Sequence, residues 1–314
     1  MKVFHGIENY SSKNKCFLTI GTFDGVHVGH QEIIRKLVYE AHCNNSIAIV
    51  LTFFPHPRSV IQKDENVKLI DTMDEKKHLL KKLNVDALII EPFTIDFSNL
   101  SAINFARDIL VKKINISKLF IGYDHRFGKN RTASVSELIS YGDTYGFEVC
   151  VIPAQNINSV SVSSTKIRKG LSEGKISLVN NYLGRKYMLE GKVIHDQGLG
   201  KKIGFPTANL EIISKNKAIP RMGVYFVSML WKNKCVFGML NIGNRPTVKS
   251  KKESIEVHFF DFNQNLYNLK IKLNFINKIR EEKNFKSIES LKKQLIKDRE
   301  FCSKQKHHLN IIKE

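Results

Sequence analysis

The first half of the chain alternates strand-like with helix-like segments, and this alternation restricts the fold more than any other feature. Short apolar runs typical of buried strands occupy residues 16–21, 46–53, 85–91, 118–122 and 147–152. Helical patterns separate them, with an apolar face over 33–41, a capping box at Thr72 and Glu75, and further segments near 103–111 and 135–145. Strict alternation predicts a doubly wound α/β domain whose parallel sheet binds ligands at the carboxyl ends of its strands.

The second half follows a different pattern. Strand-like segments at 189–194, 223–231, 235–242, 255–260 and 269–275 succeed one another with only short turns between them. This pattern predicts a mainly antiparallel sheet or small β-barrel, followed by a carboxy-terminal helix that Ser287 caps. Residues 171–183 have a helical pattern and form a connector, so we expect two domains, 1–183 and 184–314.

Composition favours a globular protein that stays in the cytoplasm. The 314 residues, 42% of them hydrophobic, are enough for two ordinary domains with buried cores. The longest apolar stretch, 47–54, is far shorter than the roughly 20 residues that cross a bilayer, and the first residues lack the apolar core of a secretory signal. The five cysteines are scattered without a C-x-x-C pair, which indicates a reducing compartment rather than disulfides or a structural zinc site.

The formal net charge of +20 raises the alternative of a nucleic-acid-binding protein. The lysines are spread along the whole chain, however, and no basic strip with interleaved aromatic residues, zinc finger or helix-turn-helix pattern is present in the sequence. We therefore expect no nucleic-acid partner and no membrane partner. The excess positive charge is expected to attract anionic small substrates instead.

A glycine-bracketed string at residues 21–30, which we name the histidine turn, joins the first predicted strand to the first helix. Asp24 and the glycines permit a sharp bend, and the helix that starts near Gly29 directs free amides and the positive end of its dipole at a ligand. His27 and His30 are then able to donate hydrogen bonds to phosphate oxygens as negative charge builds in a transition state. Ordinary turn and helix-cap residues are the alternative, but the complete string favours a nucleotide phosphate site.

Six strings occur in one order along the chain. The histidine turn has the H-x-G-H pattern of the nucleotidylyltransferase superfamily, and further strings follow at 52–57, 122–128, 163–168, 204–209 and 241–247. In this order they resemble the bacterial bifunctional riboflavin kinase and FAD synthetase family over nearly the whole chain. The resemblance implies that the second domain phosphorylates riboflavin with ATP to give FMN. It also implies that the first domain transfers AMP from ATP to FMN, which gives FAD and releases pyrophosphate.

The resemblance assigns site residues of the first domain by position. His27 and His30 match the catalytic residues that steady the ATP phosphates. The other positions that match ATP-binding residues are Gly21, Phe23, Asp24, Ser164, Thr165 and Arg168, of which the last three form a clamp suited to the leaving pyrophosphate. The positions that match the flavin side are Phe53, Pro55, Asp124 and Phe127. For the two phenylalanines, packing in the core is an equally good explanation.

In the second domain the resemblance implies a metal-dependent phosphoryl transfer. Glu256 matches the base that takes the proton from the terminal ribityl hydroxyl, and Thr207 and Asn209 match the ligands of a Mg²⁺ ion that bridges the ATP phosphates. The positions that match ATP-binding residues of the kinase are Gly198, Gly200, Lys201, Gly204, Thr207 and Asn209.

Four positions differ from the residues that the family usually has, namely His125, Ala133, Lys166 and Asp196. None of them carries chemistry assigned above, so any effect is expected on affinity or flavin selectivity. A single-activity FMN adenylyltransferase with a degenerate second domain is the alternative function. The sequence leaves the oligomeric state open.

Overall fold

The computed structural model describes residues 1–12, 14–63, 67–129, 132–157, 160–195, 200, 203–247 and 250–311. The chain divides into two compact units, Met1–Ser164 and Thr165–Glu314. The helices of the predicted connector belong to the second unit by this division, and the functional boundary at 183/184 stays a prediction. None of the helices in the described part of the chain combines the length and apolar composition that a bilayer span requires.

A six-stranded parallel sheet forms the centre of the first unit in the described residues. Its strands lie in the order β1-β4-β3-β2-β5-β6. Their bounds are β1 (Lys2–His5), β2 (Cys16–Ile20), β3 (Ile47–Phe54), β4 (Ala87–Pro92), β5 (Ile116–Gly122) and β6 (Glu148–Ile152). A small antiparallel hairpin, β7 (Asn156–Ile157) and β8 (Val160–Ser161), follows. The chain runs outward from β2 to β4 and then returns to the other side of β2 at β5. This reversal of strand order next to β2 is where doubly wound sheets bind ligands.

Helices cover both faces of this sheet. They are α1 (Val28–Cys43), α2 (Pro57–Ile61), α3 (Met73–Lys82), α4 (Ile95–Ser98), α5 (Ala102–Asn104), which continues as a π-helical segment (Phe105–Lys113), and α6 (Val135–Tyr145), with a 3-10 turn at Ile7–Asn9. Alternate residues of β2 enter opposite layers: Phe17 packs with the α1 and α3 side chains, and Leu18 packs with those of the π-helical segment and α6. Burial on both faces explains the continuous apolar runs of the central strands.

The second unit contains a closed antiparallel barrel in the order β10-β13-β12-β11-β14-β9. Two helices, α7 (Ser164–Ser172) and α8 (Ile176–Leu183), precede it, and α9 (Ile288–Ile311) follows it. The strands are β9 (Tyr187–Ile194), β10 (Ala208–Ile212), β11 (Gly223–Trp231), β12 (Lys234–Thr247), β13 (Ser250–Phe259) and β14 (Lys270–Arg280). The fully buried rings of Tyr187, Tyr225 and Phe275 fill the interior. The centroid of the Phe275 ring lies 5.9 Å from that of Tyr187 and 5.3 Å from that of Tyr225.

A buried ion pair joins α9 to the barrel. Asp298 is 2% exposed and accepts three hydrogen bonds of 2.9 to 3.1 Å from the guanidinium of Arg280 on β14. Gln294 donates a further hydrogen bond of 2.9 Å to the same carboxylate. Nearby apolar residues of α9, including Cys302 and Leu295, pack on the outer face of the barrel.

We expect Asp298→Ala to lower the free energy of unfolding of the second unit by about 3–5 kcal/mol, because it leaves the Arg280 charge buried without its partner. Urea denaturation of the full chain, followed by a probe in the second unit, measures the effect. Asp261→Asn is the control, since it breaks an exposed pair with Arg299 at 3.1 Å, keeps a side chain that tolerates the left-handed φ of 52° at this position, and should cost about 0–1 kcal/mol. Equal losses in the two variants would contradict a structural role for the buried pair.

The fold class predicted from the sequence is confirmed, including the parallel sheet, the barrel and the last helix. Helix α6 and strand β11 have the predicted bounds, and the Thr72–Glu75 capping box is formed. Four strands were not predicted: the edge strand β1, the two short hairpin strands β7 and β8, and the barrel strand β10. The connector is two helices rather than one, separated at Gly174, which has a positive φ of 72°.

Candidate active sites

The histidine turn leaves the carboxyl end of β2 in an unusual backbone conformation. Phe23 and Val26 have φ angles of 45° and 36°, and Gly25 between them has a φ of 87°. Both non-glycine residues are buried. Left-handed conformations at buried non-glycine residues store strain and persist only where the surroundings hold them.

Asp24 supplies part of that support. Asp24 is only 1% exposed. Its carboxylate accepts hydrogen bonds from the backbone N–H of Ile70 at 3.0 and 3.1 Å and from that of Asp71 at 3.2 Å. A Cβ atom added to Gly25 would lie 3.1 Å from the side chain of Ile70, which packs closely against this glycine. The segment that leads into α3 thus packs beneath the turn, and Asp24 serves the site by fixing its backbone.

The two histidines lie together at the start of α1. His27 is the N-cap residue, and its Nδ1 accepts the backbone N–H of His30 at 3.3 Å. The two rings are stacked, with centroids 3.6 Å apart and an angle of 17° between their planes. Because Nδ1 is an acceptor, a neutral His27 carries its proton on Nε2, which leaves that atom as the donor.

Both imidazoles are held in the neutral form. Burial lowers the pKa of His27 to about 4, although the carboxylates of Asp24 and Asp124 act in the opposite direction. Burial also lowers the pKa of His30 well below its usual value, and the charges of His27 and Lys76 lower it further. The Nδ1 atom of His30 is buried and has no hydrogen-bond partner in the described part of the chain. The pair is therefore suited to donate hydrogen bonds to a ligand rather than to act as two cations.

The residues predicted for the flavin side occupy different environments. Phe53, at the end of β3, is half-buried and contacts the rings of Phe93 and Phe97 at 5.5 and 5.6 Å, and Pro55 beside it is exposed. Asp124 is exposed after β5. Phe127 is buried in the core against Phe105 at 6.1 Å, and its contact with a flavin stays a prediction.

The predicted pyrophosphate clamp begins at the first residue of α7. The Ser164 hydroxyl donates a hydrogen bond of 2.8 Å to the carbonyl oxygen of Asp24, which ties this residue to the histidine turn. Thr165 and Arg168 follow within the first turns of α7, and their contact with phosphate stays a prediction.

Gly21, the first residue of the histidine turn, donates its backbone N–H to the carbonyl oxygen of Leu51 on β3 at 3.0 Å.

Two of the four unusual positions lie beside Phe127. Ala133 exchanges two backbone hydrogen bonds with it, and the His125 ring stacks 6.3 Å away. Lys166 lies on α7, and Asp196 lies outside the described residues.

Strand register assembles the candidate kinase site. Asn209 on β10 and Asn241 on β12 both lie directly opposite Glu256 on β13. Directly opposed residues project to the same side of a sheet, here the outer face of the barrel, because Val257 and Leu240 fill its interior. Asn209 is buried, whereas Glu256 is half-buried and accessible. The register therefore places an amide on each side of the predicted base.

The Gly204-Phe205-Pro206-Thr207 segment packs closely on Gly200. A Cβ built on Gly200 would lie 2.3 Å from the Phe205 carbonyl oxygen and 3.2 Å from Thr207 Oγ1. Gly204 adopts a φ of 86°, which favours glycine, and has open space around it. The other two residues predicted for this loop, Gly198 and Lys201, lie outside the described residues.

We expect Gly200→Ala to lower the kcat/KM for riboflavin phosphorylation by about 10²-fold, because the added methyl group displaces the Phe205 carbonyl and with it Thr207. Steady-state kinetics with varied ATP measures the loss. Conversion of added FMN to FAD by the same variant is the control and should not change. An equal loss of both reactions would contradict the packing argument, because it would indicate a general loss of folded protein.

Sequence reasoning missed His258 as a site residue. Its Nδ1 donates a hydrogen bond of 2.8 Å to the Pro206 carbonyl, and its ring packs on Phe205 at 5.2 Å. Burial lowers the pKa of His258, which keeps it neutral. Its spacing of two residues from Glu256 places both on one face of β13, and this period was the signal available in the sequence.

Lys76 was missed as well. It is buried on α3, and its Nζ donates to the Thr22 carbonyl in the histidine turn at 2.6 Å. Leu79, Leu80 and Leu83 mark the apolar face of this helix, and Lys76 precedes them by three, four and seven residues. A lysine on the apolar face of an amphipathic helix was the available signal.

Comparison with known proteins matches two different enzyme families to two successive parts of the chain. Residues 9–166 match the family model of FAD synthetase, and residues 183–306 match that of riboflavin kinase. The chain is 39% identical to the bifunctional riboflavin kinase/FMN adenylyltransferase of Buchnera aphidicola subsp. Schizaphis graminum, over 99% of this chain and 100% of the relative. It is 35% identical to the protein of the same description from Escherichia coli K12, over 95% of this chain and 96% of the relative.

A crystal structure described as a macrolide-efflux protein from Streptococcus pneumoniae has the same fold, with a TM-score of 0.89 and 27% identity. The match covers 96% of this chain and 99% of that one. The two family models and the near full-length relatives show that the chain belongs to the family of bifunctional riboflavin kinases and FMN adenylyltransferases.

Proposed function

We propose that this chain makes FAD from riboflavin in two steps, with the residues described above in defined roles. Both activities follow from membership of the family, so the alternative of a degenerate second domain is not favoured. The observation that supports the assignment of roles is that the paired histidines at the start of α1 lie in one unit and the Asn209–Glu256–Asn241 register lies in the other.

In the kinase step, Glu256 takes the proton from the terminal ribityl hydroxyl of riboflavin while that oxygen attacks the γ-phosphorus of ATP. The bond between the γ-phosphorus and the β,γ-bridging oxygen breaks, and FMN and ADP result. A half-buried carboxylate between two amides is accessible to a substrate and is positioned by the strands on both sides. Phosphoryl transfer depends mainly on positioning and charge neutralisation, which such a site supplies.

We infer that Mg²⁺ is the metal of this step. Within the described residues no cluster of three or more His, Cys, Asp or Glu is placed to hold a metal. The Asn209 amide oxygen and the Thr207 hydroxyl are hard ligands of the kind that hold Mg²⁺ together with substrate phosphates. When bound, the ion would neutralise charge on the ATP phosphates.

In the adenylyl transfer step, an FMN phosphate oxygen attacks the α-phosphorus of ATP, and pyrophosphate leaves. The neutral imidazoles of His27 and His30 donate hydrogen bonds to phosphate oxygens as charge develops, beside the amino-terminal end of α1. Phe53, Pro55 and Asp124 face the flavin substrate in this proposal. Ser164, Thr165 and Arg168 hold the leaving pyrophosphate.

Incubation of the chain with riboflavin, ATP and Mg²⁺, followed by chromatography of the flavins, tests the proposal. FMN should appear first and FAD second, with ADP and pyrophosphate as the other products. Conversion of added FMN to FAD without any conversion of riboflavin would support the single-activity alternative. Failure of both conversions would refute the proposed function.

A further inference from the structure

Lys76 is a buried cation that packs beneath the histidine turn and belongs to none of the six sequence strings. Only 6% of the residue is exposed, and its Nζ lies 2.6 Å from the carbonyl oxygen of Thr22. The Thr52 hydroxyl donates to the same carbonyl at 3.2 Å. A buried ammonium group is costly unless it is hydrogen-bonded and paired with opposite charge. The position of Lys76 is therefore one that the fold maintains against a desolvation cost.

The charges around Lys76 connect it to the turn and to the histidines. The carboxylates of Asp24 and Asp71 favour its charged form and oppose the lowering of its pKa by burial. Its own charge disfavours protonation of His30. The groups that interact with the histidine pair from the surrounding elements are Lys76 of α3, Asp24 and Phe23 of the turn, and Asp124 after β5.

We propose that Lys76 is a positioning residue for adenylyl transfer, which holds the strained histidine turn through the Thr22 carbonyl. The inference rests on the proposed function of this unit. The hydrogen bond acts on the backbone that immediately precedes Phe23, the first residue with a left-handed φ. Phe23 in turn contacts the His30 ring at 5.1 Å, and the buried Nδ1 of His30 has no protein partner among the described residues.

A turn that is no longer held would misplace the two histidines relative to the substrate phosphates. The loss should then appear in kcat for FAD formation more than in the KM for ATP, because the misplaced groups act mainly as charge develops in the transition state.

Three substitutions separate the hydrogen bond from the charge. Lys76→Gln retains an N–H donor and removes the charge, Lys76→Arg retains a donor and the charge, and Lys76→Met removes both. The kcat and the KM for ATP are measured for FAD formation from added FMN, with FMN formation from riboflavin measured in the same preparations. We expect Lys76→Met to lose about tenfold or more in kcat with a smaller change in KM, and the two variants that retain a donor to recover part of that loss. Riboflavin phosphorylation should not change.

Lys77→Met is the matched control, because Lys77 is the next residue on α3 and pairs with the exposed carboxylate of Asp74 at the surface. It should have wild-type kinetics. Wild-type kinetics for Lys76→Met would overturn the proposal, as would a loss that appears in KM alone or equally in riboflavin phosphorylation. If Lys76→Met fails to fold, Lys76→Gln decides, because its shorter side chain weakens the contact with the Thr22 carbonyl, and a wild-type kcat there would overturn the proposal. Failure of the wild-type chain to make FAD would instead refute the proposed function.

Discussion

Glu256→Gln is expected to slow the conversion of riboflavin to FMN by about 10²- to 10⁴-fold, the usual contribution of a positioned base. The amide occupies the same place between Asn209 and Asn241 but cannot accept the ribityl proton. Conversion of added FMN to FAD should continue at the wild-type rate, because the histidine turn lies in the other unit. Single-turnover assays with each flavin substrate measure the two rates separately.

Glu211→Gln is the matched control for this experiment. Glu211 lies on β10 two residues beyond Asn209, is exposed and pairs in register with Lys192 of β9. The same chemical change there should leave both reactions intact. An equal loss of both activities in Glu256→Gln would count against separate sites, and an unimpaired kinase would remove Glu256 as the base.

His30→Ala should have the opposite effect, so that FMN accumulates from riboflavin while FAD formation falls by about 10²- to 10³-fold, as for the loss of one preorganised donor to a developing charge. The substitution also removes the ring that stacks on His27 at 3.6 Å and the ring that contacts Phe23 at 5.1 Å. Time courses of FMN and FAD by chromatography measure the block.

His42→Ala serves as its control. His42 lies at the other end of α1, is exposed and pairs with Asp86 at 3.0 Å. Its loss should affect neither product. Unimpaired FAD synthesis in His30→Ala would exclude His30 from the mechanism, whereas a loss of thermal stability equal in both variants would point to a purely structural effect.

The sequence predicts the architecture well because burial dictates it. Continuous apolar runs identify β2, β3, β4 and β5 as strands covered on both faces, and strict alternation with helices leaves few topologies. The strands that were missed in the parallel sheet and in the barrel lack this signal. Strand β1 lies at the sheet edge and is largely exposed, so no apolar run marks it. Strand β10 begins within the Gly204–Asn209 string, whose glycine and proline indicate a loop.

The candidate sites are less predictable than the fold, because their geometry depends on contacts between distant residues. The sequence identifies Asp24 as part of a phosphate motif, yet its carboxylate binds backbone amides 46 and 47 residues away. A backbone amide has no side-chain signature, so no pattern could show this role. Phe127 is a similar case: its string suggests a flavin contact, and only the packing against Phe105 and Tyr141 shows that the core also needs it.

The pairing of Glu256 with Asn209 on one side and Asn241 on the other also restricts insertions and deletions within strand β13. Side chains along a strand alternate between the two faces, so one inserted or deleted residue within β13 would rotate Glu256 into the barrel interior and bring a neighbour such as Val257 outward. Every residue would still be encoded, but the proposed base would point away from the face on which the substrate is expected. We expect this half of the chain to tolerate replacement of outward side chains and lengthening of hairpin loops. We do not expect it to tolerate the insertion or deletion of one residue within the strand.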